Sequence, residues 1–396
     1  MKRLTVVSAG LGADTVTAEA LRAVERAQVL FGAPRLLALF GGAACRCEPV
    51  YTPEKIAPVL AEYKAGEFAV LVSGDAGFFS AAARLRESLA DCEVEILPGV
   101  SSLNAFAARL GLSWQEMAAV SCHGRDGRLV DTVRRSRYTF ALTGGNVPQL
   151  AQALCRAGFG ELTVHVGEEL GLPQERVRAM TVSALQTAET APLTVLVIEN
   201  GAPDGRCRTG IPDDEFLRGE VPMTKAEVRA VSMSKLAVAP DDVCWDVGCG
   251  TGSVTVELAL AAWRGGVWAV DRDEAAVSLT RRNCEKFHVG NATVSVGSAP
   301  EALAEFPAPD TVFIGGSGRR MDGVFDAALA KNPRARIVVN AIALESVQSA
   351  LNAFAGHGIP ASTVQLSVSA ARETAGLHMM LAQNPIYIIS GGGKDE

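Results

Sequence analysis

The stretch that decides the fold of this chain is Val243-Cys244-Trp245-Asp246-Val247-Gly248-Cys249-Gly250-Thr251-Gly252-Ser253. An apolar, β-favouring run meets a glycine cluster, and a helix-like run from 254 to 262 follows, so the pattern predicts a strand, a tight turn and a helix N-terminus. Glycines let the backbone approach a ligand where a Cβ would clash, and the first helical turn offers unpaired N–H groups. A second apolar run ends in Asp271, which follows Gly248 by 271 − 248 = 23 residues. This spacing is typical of an acid that meets a ribose diol in a βαβ nucleotide site.

The glycine spacing discriminates between nucleotide ligands. A phosphate-binding P-loop requires Gly-Lys-Ser/Thr, which the sequence lacks, and an NAD-linked dehydrogenase would have its third glycine where this chain has Ser253. Asp-Val-Gly-Cys-Gly-Thr-Gly at 246–252 instead resembles the first motif of Rossmann-like methyltransferases that use S-adenosylmethionine (SAM). The resemblance implies cofactor contacts from the strand end, the loop and the acid, namely Asp246, Gly248, Cys249, Gly250, Thr251, Gly252 and Asp271.

Composition limits the class of protein. With 396 residues the chain is too long for one ordinary core, so two domains are expected. Its net charge is −7, and neither half has the positive bias of a nucleic-acid binder. The nine cysteines are scattered, which favours reduced thiols in a cytoplasmic protein and indicates no metal site. No apolar run reaches membrane-spanning length, so we expect no membrane association.

The order of elements predicts two α/β domains. In the first half, strands alternate with helices, which indicates a largely parallel sheet, and several strands end in glycine-bearing loops where ligands of such sheets bind. Turn formers and charges then interrupt the pattern. We therefore predict a first domain at 1–203, a linker at 204–220 and a second domain at 221–396.

The first half carries the motifs of a second family. Ser-Gly-Asp-Ala-Gly-Phe-Phe-Ser at 73–80 and Leu-Pro-Gly-Val-Ser-Ser at 97–102, with the glycine loop at 10–12 and Leu-Thr-Gly-Gly at 142–145, resemble the tetrapyrrole methylase family. Ala76 replaces the proline usual in that family. The resemblance implies two α/β subdomains with SAM bound in the cleft between them. The residues implied to contact this cofactor are Gly10, Gly12, Gly74, Asp75, Phe78, Ser101, Ser102 and Thr143.

Three further motifs narrow the second half. Thr-Lys-x-Glu-Val-Arg at 224–229, Gly-x-Ala-Pro-Glu at 297–301 and Gly-Gly-Ser-Gly at 315–318 resemble the decarboxylating precorrin methyltransferases of cobalamin synthesis. This resemblance implies a doubly wound Rossmann-like sheet and adds Thr224, Ser298 and Ala299 to the cofactor contacts, although Ser298 stands where the family tends to have Asp. The two halves together imply a bifunctional SAM-dependent C-methyltransferase of cobalamin (vitamin B12) biosynthesis. The resemblance implies that the first domain methylates carbon 5 of a precorrin, and that the second domain methylates carbon 15 and removes carbon dioxide from the ring C acetate. The enzyme would bind one SAM per domain and form a homo-oligomer.

The residues that move protons are not apparent from the sequence. Because the implied tetrapyrrole carries many carboxylates, we consider Lys225, Arg229 and Arg319 as anchors, with solvated surface charges as the alternative. Glu227 is a candidate acid or base, with an ion pair to a neighbouring arginine as the alternative.

Two other functions remain open. The second domain could methylate RNA or protein with the first half as a specificity module, although the acidic charge opposes RNA. A SAM-binding regulator would bind the same cofactor but transfer no methyl group.

Overall fold

The computed structural model contains two compact units. One comprises residues 1–124, 136–151 and 162–201, and the other comprises 125–135, 152–161 and 202–396. The predicted bounds at 203/204 and 220/221 stay a prediction. The residues that the structure describes are 1–40, 45–80, 82–89, 92–122, 127–206, 208–316, 320–374 and 376–393.

The first unit begins with an all-parallel five-stranded sheet of order β3-β2-β4-β1-β5. Its central strands are continuous apolar runs, as expected for a sheet covered on both faces. Leu4 lies opposite Phe68 in register, and both side chains are buried. The strands are β1 (Lys2–Ser8), β2 (Val29–Gly32), β3 (Arg46–Glu48), β4 (Gly66–Val72) and β5 (Cys92–Leu97), and the helices are α1 (Ala18–Arg26), α2 (Pro34–Phe40), α3 (Pro53–Ala61), α4 (Ala82–Ser88) and α5 (Ser102–Leu110).

A second five-stranded sheet follows, of order β6-β7-β10-β8-β9. Only its β6–β7 pair is parallel, so the predicted largely parallel arrangement is wrong for this sheet. Its central strand β10 is buried between two antiparallel neighbours. The elements along this part of the chain are β6 (Met117–Ser121), α6 (Gly127–Arg135), β7 (Tyr138–Leu142), α7 (Val147–Arg156), β8 (Thr163–Glu168), β9 (Arg176–Thr181), α8 (Val182–Leu185) and β10 (Thr194–Glu199). Of these, α6 and residues 152–156 of α7 belong to the second unit.

The second unit contains a seven-stranded sheet of order β13-β12-β11-β14-β15-β19-β16, which confirms the doubly wound prediction. All pairs are parallel except the two that β19 makes. The strands are β11 (Val243–Val247), β12 (Gly266–Asp271), β13 (Ala292–Val296), β14 (Thr311–Ile314), β15 (Arg336–Ala341), β16 (Ser362–Leu366), β17 (Ser369–Thr374), β18 (Leu377–Ala382) and β19 (Ile386–Gly391), and the helices are α9 (Ala226–Leu236), α10 (Ser253–Ala261), α11 (Glu274–Lys286), α12 (Met321–Lys331) and α13 (Leu344–Gly356).

Part of the predicted linker is built into the core of the second unit. Ile211 and Phe216 are buried in the apolar cluster that also contains residues of α9 and α10. The backbone amides of Gly210 and Ile211 each donate to the Glu257 carboxylate at 3.0 Å. This segment is therefore held by apolar burial and by hydrogen bonds to a buried acid.

Strands β17 and β18 form a separate antiparallel hairpin that the sequence pattern does not predict. All six residues of β18 are exposed. The exposed fractions of its large apolar side chains are 69% for Leu377, 54% for Met379, 64% for Met380 and 46% for Leu381.

Candidate functional site

A cavity of about 680 Å³ lies at the carboxyl ends of the central strands of the second unit. This is the edge at which open α/β sheets bind their ligands. The lining contains every cofactor contact predicted for this unit except Thr251 and Gly252: Thr224, Asp246, Gly248, Cys249, Gly250, Asp271, Ser298 and Ala299. The structure thus gathers these side chains and loops around one space, while their role in binding stays a prediction.

The backbone of the loop after β11 requires glycine at two positions, Gly248 and Gly250. Gly250 has φ of +56°, and a Cβ there would lie 2.7 Å from the carbonyl oxygen of Pro222. At Gly248, φ is +80° and a Cβ would lie 2.8 Å from the amide nitrogen of Gly316. Both conformations favour glycine, so these residues shape the loop before any ligand is considered.

Thr251 and Gly252 lie outside the cavity lining because they turn the chain into α10. Thr251 is buried, and its carbonyl accepts a hydrogen bond of 2.8 Å from Asn283 Nδ2. A Cβ on Gly252 would lie 2.7 Å from Thr280. Both residues therefore support the loop from behind, and their predicted contacts with the cofactor stay a prediction.

Asp246 is a fully buried carboxylate at the end of β11. Its Oδ2 accepts a hydrogen bond of 2.5 Å from Thr255 Oγ1, whereas Oδ1 has no hydrogen-bond partner among the described residues. Burial raises the pKa of Asp246 to about 7, the bond from Thr255 opposes this rise, and the nearby charge of Asp271 adds to it. A cationic ligand group would relieve the cost of this isolated buried charge.

Asp271 ends β12 at the rim of the same cavity. Its Oδ2 accepts from the Gly250 amide at 3.0 Å, and its Oδ1 accepts from the Asp273 amide at 3.1 Å. An ionised carboxylate has about four acceptor positions. Asp271 can therefore hold the glycine loop and still accept hydrogen bonds from a diol.

The structure separates the candidate catalytic residues from the cavity. Lys225 Nζ lies 3.3 Å from Asp213 Oδ2, and Glu227 is exposed and forms no ion pair within the described residues. Neither lines the cavity. Arg319 lies outside the described residues.

Arg229 is fully buried, so both its prediction as a substrate anchor and the alternative of a solvated surface charge are wrong. Its guanidinium bonds to Glu257 and Asp213 at 2.9 Å each, and it donates to the carbonyls of Thr224 and Ile211. These partners accept from four of the five N–H donors of the guanidinium, and its role is to fix the start of α9 and the preceding segment.

Several cavity residues are not apparent from the motifs. Arg272 follows Asp271 directly, and Arg320 pairs with Glu301 at 2.6 Å while remaining partly exposed. Asn340 is the penultimate residue of β15. Their common signal is a position near or after a strand end, which the sequence alone does not distinguish from an ordinary loop. Further lining residues on this side are Met321, Ala341, Ile342, Ala343 and Ser346.

In the first unit, the loops after β1, β4 and β5 meet at one edge of the parallel sheet. Gly10 and Gly74 form an isolated antiparallel bridge, with amide-to-carbonyl distances of 3.1 and 2.8 Å. Asp75 accepts from the amides of Gly77 and Gly99 at 2.8 Å each. The predicted cofactor residue Asp75 therefore ties the second loop to the third.

The other predicted residues of this unit lie on the same loops or on the second sheet. Gly12 precedes a short 3₁₀ turn, and a Cβ there would lie 2.8 Å from the carbonyl of Gly171, in the loop after β8. Ser101 caps α5, of which Ser102 is the first residue. Phe78 packs edge-to-face on Phe140, with ring centroids 5.8 Å apart. Thr143 directly follows β7 of the second sheet, is buried and donates to the Thr194 carbonyl at 2.7 Å.

Within the part of the chain that the structure describes, no group of three or more His, Cys, Asp or Glu side chains is placed to hold a metal ion. Likewise, none of the described helices has the length and apolar character that crossing a bilayer requires.

The seven-stranded order, the glycine loop after β11 and the acid at the end of β12 define the class of Rossmann-like SAM-dependent methyltransferases. Comparison with known proteins is more specific. Residues 3–186 match the family model for tetrapyrrole (corrin/porphyrin) methylases, and residues 215–391 match that for the precorrin methyltransferase domain. The chain is 32% identical over 392 residues to the precorrin-6Y C(5,15)-methyltransferase [decarboxylating] of Sinorhizobium sp, which covers 94% of this chain and 92% of that protein. The chain therefore belongs to the family of decarboxylating precorrin-6Y C(5,15)-methyltransferases.

Two further similarities concern about half of the chain. A probable cobalt-precorrin-6B C(15)-methyltransferase (decarboxylating) of Pyrobaculum calidifontis is 46% identical over 184 residues, which is 46% of this chain and 94% of that protein. A crystal structure of precorrin-6Y C5,15-methyltransferase from Geobacter metallireducens is 36% identical and covers 46% of this chain and 97% of the solved one, with a TM-score of 0.45.

Proposed function

We propose that this chain methylates carbons 5 and 15 of precorrin-6Y and removes carbon dioxide from the ring C acetate, giving precorrin-8X in cobalamin biosynthesis. The observation that carries the proposal is the similarity to a decarboxylating C(5,15)-methyltransferase over 94% of the chain, which includes both units. This full-length similarity favours a precorrin over RNA or protein as the acceptor.

In the second unit, the cavity residues suit SAM. The sulfonium and ammonium groups of SAM are cationic, and Asp246 offers a buried carboxylate oxygen without a partner among the described residues. Asp271 has acceptor capacity for the ribose diol, and Ser298 and Ala299 follow β13 where the adenine would lie. When bound, SAM supplies an electrophilic methyl group.

In the first unit, a second SAM would bind at the edge where the loops after β1, β4 and β5 meet. The support is the Gly10–Gly74 bridge and the two hydrogen bonds that Asp75 accepts, one from Gly77 in its own loop and one from Gly99 in the loop after β5, which hold the backbone in place. A preformed backbone surface lowers the ordering cost of binding. Ser101, Ser102 and Thr143 complete the proposed site.

The protein's main contribution to methyl transfer is alignment. The bridging carbons of a reduced corrin precursor are electron-rich, so each needs only to be held in line with the methyl group. The macrocycle carries many carboxylates, and Arg272 and Arg320 at the second cavity are cations suited to bind them. We assign them the anchoring role first considered for Arg229.

Calorimetric titration of the full chain with SAM tests the two sites. We expect two sites per chain in the wild type and one in each of two variants, Gly10→Val and Gly250→Val. A Cβ at position 10 would lie 2.3 Å from Thr15 Oγ1, and one at 250 would meet the Pro222 carbonyl. Incubation with precorrin-6Y should add two methyl groups and remove one carbon dioxide by mass. A single SAM site in the wild type, or methyl transfer without loss of carbon dioxide, would contradict the proposal.

We further propose a cytoplasmic homo-oligomer assembled through the hairpin of β17 and β18. An isolated two-stranded hairpin is marginally stable in water, and exposed apolar patches mark interaction surfaces. The four exposed apolar side chains of β18 would be covered by the hairpin of another copy. Light scattering should give a multiple of the chain mass, and Met380→Glu should lower it, with Glu373→Gln on β17 as a control. A monomeric wild type would refute this assembly.

A further inference from the structure

On one side of the cavity of the second unit, no cofactor role is assigned. Most proposed cofactor contacts follow β11, β12 and β13, whereas the lining after β14 and β15 has only the proposed substrate anchor Arg320. On this side, Asn340 is the penultimate residue of β15, between the apolar residues Val339 and Ala341. This side of the cavity is therefore the space left for the acceptor molecule.

The side-chain amide of Asn340 is held in place from behind. The Ser232 hydroxyl lies 3.0 Å from Asn340 Nδ2, from which it can accept, and 3.1 Å from Asn340 Oδ1 and 2.8 Å from the Val228 carbonyl, to either of which it can donate. Ser232 is fully buried in α9. When the hydroxyl donates to Val228, it accepts from Nδ2 and so orients the Asn340 amide. Asn340 also lines the cavity, and its Nδ2 makes no other hydrogen bond among the described residues.

A neutral donor at this position suits the loss of a carboxylate. A cation beside the leaving carboxylate would stabilise its charge in the ground state, and that stabilisation disappears as neutral carbon dioxide forms. An amide N–H can orient the carboxylate with much less charge stabilisation. The lining cations Arg272 and Arg320 are instead at least partly exposed, where they can hold carboxylates that are retained.

We propose that Asn340, oriented by Ser232, binds the acetate carboxylate that the enzyme removes, an inference that rests on the proposed function. In this step the bond between the methylene carbon and the carboxylate breaks, and carbon dioxide leaves. The electron pair of that bond moves into the conjugated macrocycle. A proton from water then adds to the methylene carbon, and a methyl group replaces the acetate.

The rim beside Asn340 is apolar and matches the body of the same substrate. Ile342 and Leu344 are 61% and 68% exposed, and Ile342 lines the cavity. Exposed apolar side chains at the mouth of a cavity favour a flat, hydrophobic ligand. They would hold the macrocycle while Asn340 reaches its side chain.

The test measures carbon dioxide loss, methylation at carbon 5 and SAM affinity in the full-length enzyme with precorrin-6Y. We expect Asn340→Ala to slow carbon dioxide loss by about 10²-fold, the cost of a misplaced reacting group. Ser232→Ala should slow it by about tenfold, as for one lost hydrogen bond. The double variant should be no slower than Asn340→Ala, because Ser232 acts only through Asn340. Methylation at carbon 5 and the SAM affinity of the second unit should stay at wild-type values in all three.

The control is Asn352→Ala, which removes an exposed asparagine hydrogen-bonded to Gln348 and should change nothing. Carbon dioxide loss at the wild-type rate in Asn340→Ala would overturn the inference alone. A parallel fall in the SAM affinity of the second unit would also overturn it, because the residue would then be only structural. A wild-type enzyme that leaves precorrin-6Y unchanged would overturn the proposed function, and this inference with it.

Discussion

Replacement of Asp246 by Asn should stabilise the ligand-free protein and weaken its SAM binding. The carboxyl group is fully buried, and burial raises its pKa from the ordinary 3.8 to about 7. Because the folded-state pKa is raised, the stabilising contribution of this group is complete below about pH 3.8 and is lost as the pH rises through about 7. At 1.36 kcal/mol per pKa unit, the charge then costs up to about 4 kcal/mol of folding free energy. An asparagine of the same shape avoids this cost and can still accept the bond from Thr255.

Urea unfolding followed by tryptophan fluorescence tests the predicted gain in stability. The signal reports mainly on the second unit, because three of the four tryptophans, Trp245, Trp263 and Trp268, lie there. The stability difference between Asp246→Asn and wild type should be small near about pH 4 and should grow to its full size above about pH 7. The same variant should lose about 1.5–3 kcal/mol of SAM affinity in the second unit, the value of a charge-assisted hydrogen bond. Equal stabilities of the two proteins at about pH 8 would refute the reasoning.

Three further substitutions test other parts of the structure. Gly250→Ala should lower SAM affinity in the second unit by more than about tenfold, since its φ of +56° alone costs about 1–2 kcal/mol for a non-glycine residue. Calorimetry should still detect the site of the first unit, and two unchanged sites would contradict this prediction. Arg229→Met should lower the free energy of unfolding, measured with urea, by about 3–5 kcal/mol, because Glu257 would remain buried without its cation. Adding Glu257→Gln to the same chain should restore part of the loss. A near-neutral Arg229→Met variant would show that the pair is dispensable. Asp75→Ala should weaken SAM binding in the first unit and slow methylation at carbon 5, because two loop amides lose their acceptor; normal methylation at carbon 5 would argue against that loop as the site.

The parts of the fold that the sequence predicts are those with local signals. The strand, glycine loop and helix around Asp246 are predicted by a continuous apolar run and by the glycines that follow it, which have positive φ angles in the structure. The seven-stranded order follows because each strand and helix has its own periodicity. Strand β9 lacks such a signal, since Arg176 and Arg178 give an exposed edge strand the composition of a loop.

The side-chain roles are harder to predict because they depend on distant partners. Arg229 reads as a surface charge in its helix, but its counter-ion Glu257 lies 28 residues further along the chain on another helix. Asn340 likewise gains its orientation from Ser232, 108 residues earlier. Neither pairing leaves a trace in local composition, so only the folded chain shows which polar residues are consumed by packing and which face the cavity.

The segment around Ile211 and Phe216 has a consequence for how the two halves of this gene could be separated. A fragment that began at Pro222 would expose the apolar surface of α9 and α10 and leave the Glu257 carboxylate without its two amide donors. Such a fragment would aggregate or be degraded in the cell. A split into two independent genes would therefore have to fall before Arg208, so that the second half keeps the segment that covers α9 and α10.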